Sequence, residues 1–179
     1  EDNSAYYVVT FTKRYRQDYK TVDVRHILIQ PEAGTIAEGE DGYEDGQAQL
    51  KATAKANAED LLARWQAGGA TEDAFATLAN ENSSDGGSNT NGGLYKQIYP
   101  NQMDAAFNDW CFDSSRQPGD TGIVETDYGY HIMYFVGTDL PYWQVKVTST
   151  LRDKDFGDWY SGVTAGYTGV AADGAKYVG

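Results

Sequence analysis

The sequence has 179 residues, enough for one domain with a full core or a small domain with extensions, and too few for two complete domains. Its 14 Lys and Arg are scattered among 27 Asp and Glu, a formal charge of -13, whereas a surface that tracks phosphates needs clustered cations, so no nucleic-acid partner is expected. One cysteine, Cys111, excludes an internal disulfide framework and a multi-cysteine zinc site, and no apolar run reaches the roughly 20 residues of a membrane helix.

Residues 5–12 (AYYVVTFT) are β-branched and aromatic and predict a strand. A second strand is predicted over 22–29, where Val22, Val24, His26 and Leu28 alternate with Asp23, Arg25, Ile27 and Ile29. His26 thereby falls on an apolar face. Residues 31–46 carry Glu32, Glu38, Glu40, Asp41, Glu44 and Asp45 with several glycines and no cation, which predicts a solvated loop.

From 47 to 67 the period changes: Leu50, Ala54, Ala58, Leu61, Leu62 and Trp65 recur at helical steps, with Gly68-Gly69 as the stop. Thr71 is placed to cap a second helix with Phe75, Leu78 and Ala79 inward. Residues 82–93 (NSSDGGSNTNGG) predict a loop of turns. Asn101 is placed to cap a short helix on which Met103, Ala106, Phe107, Trp110 and Cys111 share a face; Cys111 there reads as a packing residue. After Pro118-Gly119, residues 123–124 and 130–136 predict a strand pair. Strand, helices, strands in this order indicate an α+β fold.

The two ends resemble each other. Tyr6-Tyr7-x-Val9-x-Phe11-Thr12 returns as Tyr142-Trp143-x-Val145-x-Val147-Thr148, which predicts two strands that pair and extend the sheet; alternatively, 5–12 is the last strand of a preceding module. The organisation expected is an N-terminal strand extension over 1–21, a central domain over 22–138 and a C-terminal strand and tail over 139–179. The chain opens at Glu1 rather than Met, which leaves room for a leader or membrane anchor outside it.

His26 and His131 are the two histidines, each within a predicted strand. Taken singly, each reads as a hydrogen-bonded core residue. No set of ligands flanks either one at metal-site spacing, and no G-x-S-x-G elbow accompanies them, so neither a metal nor any other cofactor is expected. The order of local strings carries more. Val24-Arg25-His26-Ile27-Leu28-Ile29, Phe75-Ala76-x-Leu78-Ala79, Ser83-x-Asp85, Asn91-Gly92-Gly93-Leu94, Gln102-Met103-x-x-x-Phe107, Pro118-Gly119-Asp120 and Val124-x-Thr126-x-x-Gly129-Tyr130-His131-Ile132 follow one another over 22–137. In this order they resemble the parvulin (rotamase) family of peptidyl-prolyl cis/trans isomerases, and the acidic composition and flanks are similar to extracytoplasmic foldases of Gram-positive bacteria.

That resemblance implies a four-stranded antiparallel sheet wrapped by about four helices. It implies catalytic roles for His26, Asp85, Thr126 and His131, and a proline pocket of Met103 and Phe107 with Leu94 or Tyr95 as a third wall. Many parvulins read Gly-Gly-Asp-Leu-Gly where this chain has Gly92-Gly93-Leu94-Tyr95-Lys96. Phosphate-directed members place cations after the first strand; this chain places its acidic 32–45 loop there, so unphosphorylated X-Pro segments of polypeptide clients are expected, with no phosphopeptide preference. The location implied is extracytoplasmic, at the cell surface or on a membrane. The rival functions are a parvulin-shaped holdase with little isomerase activity, favoured by the altered Gly-Gly-Leu-Tyr segment, and a structural spacer.

Overall fold

A computed structural model describes residues 8, 10, 12, 13 and 16–167. The elements run β1 Lys20–Ile29, α1 Tyr43–Ala67, α2 Glu72–Asn82, β2 Leu94–Ile98, α3 Ala105–Cys111, β3 Thr121–Thr126, β4 Gly129–Pro141 and α4 Tyr142–Thr164. The strands form one antiparallel sheet in the order β2-β1-β4-β3. This is the expected α+β arrangement of four strands and four helices.

Alternation along the strands divides the core in two, because successive side chains leave a strand on opposite faces. Ile27, Tyr130 and Ile132 point to one face, where α1 lays down Ala54, Ala58, Leu61 and Trp65 and α2 lays down Phe75 and Ala79. Val22, Val24, Met133, Phe135 and Val124 point to the other, where α3 supplies Phe107 and Cys111 and β2 supplies Ile98. Both faces of β1 and β4 are therefore covered, and the histidines belong to the second face.

Helix α1 begins four residues before the expected position. Gly42 takes a left-handed φ of 85°, and Glu44 and Asp45 fall in the first helical turn, where the positive end of the helix dipole favours acidic side chains. The acidic segment is thus a loop only as far as Gly42. Thr71 caps α2 as expected, accepting from the Ala74 N–H at 3.2 Å. Helix α3 is capped by Asp104, whose carboxylate accepts from the Ala106 N–H at 3.0 Å, and not by Asn101. Asn101 instead has φ 66° and donates its backbone N–H to the Asn108 side chain. Met103 consequently sits just ahead of the helix rather than on its first turn.

The expected C-terminal strand over 142–148 is overturned: Tyr142–Thr164 is a helix. Pro141 ends β4 and has no N–H with which to carry the ladder further. Beyond it, backbone and side-chain bonds four residues apart take over, among them Thr150 Oγ1 to Lys146 O and Lys154 Nζ to Asp158 at 2.6 Å. The seven residues of the expected strand could not outweigh that local bonding. The predicted partner strand over 5–12 lies largely outside the described residues. The chain divides into two compact units, 1–142 and 143–179; none of the residues of α4 is buried.

Candidate active site

The register of the central strands brings the two histidines together. His26 is paired with Met133 and His131 with Leu28. Residues opposite each other across an antiparallel ladder share a face, so His26 and His131 are diagonal neighbours on the α3 side of the sheet. Their Nδ1 atoms lie 3.0 Å apart, with the rings stacked at 5.2 Å between centroids. Both rings are buried, His26 at 3% and His131 at 6% exposure.

Asp85 reaches this pair because its loop is stitched to β1. The Leu28 N–H donates to Ser83 Oγ at 3.1 Å, and the Ser84 N–H donates to the Leu28 carbonyl at 2.9 Å. At the far end of the loop the His26 N–H donates to the Gly93 carbonyl at 2.9 Å, while Arg25 binds Glu72 of α2 and donates to the carbonyls of Asn91 and Gly92. Gly93 has φ 70°, and a Cβ there would collide with the His26 carbonyl oxygen, so only glycine lets the loop close against β1. The result sets Asp85 Oδ2 2.9 Å from His26 Nε2. On the other side, Thr126 ends β3 before the two-residue Asp127-Tyr128 turn, and its hydroxyl lies 2.8 Å from His131 Nε2.

Hydrogen-bond chemistry orders this chain of groups. An ionised carboxylate only accepts, so Nε2 of a neutral His26 carries the proton and its Nδ1 is an acceptor. His131 Nδ1 then donates, its Nε2 accepts, and Thr126 donates to it while accepting from the Tyr128 N–H at 3.2 Å. Every member is satisfied with both rings neutral. Burial pushes both imidazoles below the usual histidine range; for His131 the nearby His26 adds to that effect and the value falls to about 4. Burial pushes the Asp85 carboxyl up, but hydrogen bonds from Ser88, His26 and the Gly87 N–H outweigh it and hold the value at about 2.

Beside this polar line lies a cleft of about 200 Å3 lined by His26, Leu28, Asp85, Tyr95, Met103, Asp104, Phe107, Tyr128 and His131. Phe107 meets both imidazoles edge-on, each at 5.5 Å between centroids. Seven of the eight residues singled out from the sequence therefore stand together: six line the cleft and Thr126 holds His131 from behind. Leu94 does not line it. Of the two candidates for the third wall, Tyr95 faces the cleft, and Leu94, its neighbour on β2, is paired with Arg25. Cys111 is buried in the α3 core, and its thiol is pushed up to about 12 by burial. Among the described residues no group of three or more His, Cys, Asp or Glu could hold a metal ion.

Three participants escaped the sequence reading. Ser88 is wholly buried and donates to Asp85 Oδ2, with His26 Nε2 3.2 Å from its hydroxyl; its signal was its place three residues after Asp85 in a turn. Asp104 lines the cleft from the cap of α3, and its Asp-Ala-Ala-Phe string is an N-cap signature. Tyr128 owes its place on the rim to the hairpin turn.

Residues 6–137 match the sequence profile of the PPIC-type PPIASE domain family. A foldase protein PrsA 1 from Listeria innocua is 31% identical over 122 residues, which are 66% of this chain and 32% of that protein. Its counterpart from Listeria monocytogenes is 29% identical over 127 residues, 71% of this chain and 33% of that one. The chain thus spans about a third of the length of these curated relatives. The crystal structure of PrsA from Bacillus subtilis superposes with a TM-score of 0.51 at 21% identity, covering 86% of this chain and 52% of that chain, a likeness of fold.

Proposed function

The chain belongs to the PPIC-type peptidyl-prolyl isomerase (parvulin) family, and from that membership we propose that it accelerates cis/trans exchange at unphosphorylated X-Pro bonds of unfolded or secreted polypeptides outside the cytoplasm. The observation that carries this reading is an apolar cleft closed on one side by Met103 and Phe107 and on the other by the ordered line Asp85, His26, His131, Thr126.

Rotation about a peptide bond breaks amide resonance, a barrier of roughly 18 to 20 kcal/mol, and uncatalysed X-Pro exchange takes tens to hundreds of seconds. No covalent intermediate is needed. A site that binds the twisted amide more tightly than either planar form lowers the barrier, and each ~1.4 kcal/mol of that preference gives about a tenfold rate. Met103 and Phe107 hold the pyrrolidine ring while the preceding carbonyl turns. Burial away from water favours the twisted state, because the charge-separated resonance form of the planar amide loses its solvation. His26 and His131, neutral and fixed by Thr126 and Asp85, shape the polar wall rather than transfer protons, and the Asp85 charge disfavours the polarised planar amide.

Among the described residues no Lys or Arg lines the cleft, while Asp85 and Asp104 do. A phosphorylated side chain beside the proline is repelled there, and a cationic flank is tolerated. NMR exchange spectroscopy on an Ala-Pro peptide tests the reading: accelerated cis/trans exchange that falls at least tenfold in His131→Ala is expected, and peptide line broadening without acceleration would discard it. A holding function is the second reading, favoured by the exposed Phe156, Trp159 and Tyr160 of α4 and the exposed Tyr167 beyond its end. It predicts equal suppression of aggregation for proline-free clients.

A further inference from the structure

Asp85 accepts from four donors. Its Oδ2 accepts from His26 Nε2 at 2.9 Å, from the Ser88 hydroxyl and from the Tyr95 hydroxyl at 3.0 Å, and its Oδ1 accepts from the Gly87 N–H at 3.2 Å. Ser88 has no exposure at all and does not line the cleft, so no substrate reaches its hydroxyl. Tyr95 does line the cleft, with its ring 5.3 Å from that of His26. A buried serine and a half-buried tyrosine aimed at one carboxylate oxygen are a construction around Asp85.

Its consequence follows from the hydrogen-bond order. With Asp85 an acceptor, the protons lie on His26 Nε2 and His131 Nδ1. With Asp85 a donor, every bond in the line reverses: His26 Nδ1 donates to His131, and His131 Nε2 donates to Thr126, which has a second lone pair to accept it. The geometry of the line admits both orders. The two present different donors along the same polar wall.

We propose that Ser88 and Tyr95 are positioning residues that hold Asp85 as the terminal acceptor and so select one of the two proton orders across the histidine pair. The low range of the Asp85 carboxyl agrees with this, since the Ser88 bond leads the effects that bring it down against burial, and Tyr95 is raised by burial and then by Asp85. The titratable groups facing Asp85 are His26 from β1, His131 from β4, Tyr95 from β2 and Asp104 ahead of α3, with no cation among the cleft residues. The donors on Asp85 must therefore do what a Lys or Arg would otherwise do.

The inference rests on the isomerase reading for its significance but not for its test. In the full chain, Ser88→Ala and Tyr95→Phe are made singly and together. The Asp85 side-chain carbon is titrated by NMR, and the protonated ring nitrogens are assigned from long-range nitrogen–proton spectra. The parent is expected to show Nε2–H on His26 and Nδ1–H on His131 at neutral pH. Each lost donor should raise the Asp85 titration by about one pH unit, and in the double variant the reversed tautomers should appear at correspondingly higher pH. A double variant in which Asp85 titrates within about 0.3 unit of the parent, with unchanged tautomers, overturns the proposal. Ser88 is small and Tyr95→Phe keeps the ring, so either single variant suffices if the double one fails to fold. Neither readout requires turnover. A parent that fails to accelerate exchange while the titrations shift overturns the isomerase reading alone, and acceleration with unshifted titrations overturns this inference alone.

Discussion

Phe107 serves two surfaces at once: it is 2% exposed and packs in the core under α3, and it also walls the cleft against both imidazoles. Its removal therefore confounds stability with binding. Phe107→Ala should cost about 3 to 5 kcal/mol of folding free energy, whereas Met103, half-buried and outside the helix, separates the two effects. Met103→Ala should lower kcat/KM about tenfold, the worth of one apolar side chain, with a much smaller drop in thermal midpoint; a full-rate variant would remove Met103 from the proline pocket. For Asp85→Asn, measured at neutral pH, turnover should fall while peptide affinity nearly holds. Unchanged turnover would leave Asp85 a turn-former. From the sequence, His26, His131 and Asp85 could be named because their strings stand in a recognisable order. Ser88 could not, since a serine in a Gly, Asn and Ser loop carries no mark of burial until the loop closes on β1.

Elements place these residues, and two of them do so by their ends. Asp104 both caps α3 and lines the cleft, so Asp104→Ala should cost about 1 kcal/mol and disturb Met103 and Phe107 together, read as a lower thermal midpoint and weaker peptide binding. Asparagine, like aspartate, is a good cap, so the sequence alone points to Asn101; the left-handed backbone at Asn101 and its bond to Asn108 exclude it. Gly93 closes the 82–93 loop against β1. Gly93→Ala should destabilise the fold by more than about 1 kcal/mol, combining a positive φ with a backbone collision, and a thermal melt indistinguishable from the parent would contradict the contact with His26.

At the scale of the molecule, the buried neutral pair makes stability depend on pH. Unfolded, both histidines titrate near 6.5; folded, both lie lower, His131 at about 4. Across that interval the unfolded chain binds more protons, so the contribution is fully present above pH 6.5 and lost as pH falls through about 4. Asp85, at 3.8 unfolded and about 2 folded, extends the loss below pH 4. The thermal midpoint should be level above pH 6.5 and decline steadily below it, and His131→Gln should have a shallower slope; a midpoint constant down to pH 4 would refute the neutral pair. The unit ending at Tyr142 holds the whole cleft, and no residue of α4 is fully buried. Residues 1–142 alone should therefore fold and keep the exchange activity, with the amides of 143–164 in the full chain exchanging far faster than those of β1 and β4.

What the sequence determined by itself was whatever local periodicity and string order encode: the α+β class, the strands and helices over 22–136 other than β2, and the candidates His26, His131, Asp85, Thr126, Met103 and Phe107 that the structure brings together. Alternation and helical spacing arise from geometry within a few residues, and they are written directly in the chain. Only the tertiary structure decided that Tyr142–Thr164 is a helix, that Asp104 and not Asn101 caps α3, that Tyr95 and not Leu94 faces the cleft, and that Ser88 joins Asp85. Tyr95 depends on which face a register presents and Ser88 on which donor a closed loop reaches, while α4 and the α3 cap depend on where a ladder has to stop and which backbone conformation a residue is given, none of which periodicity records.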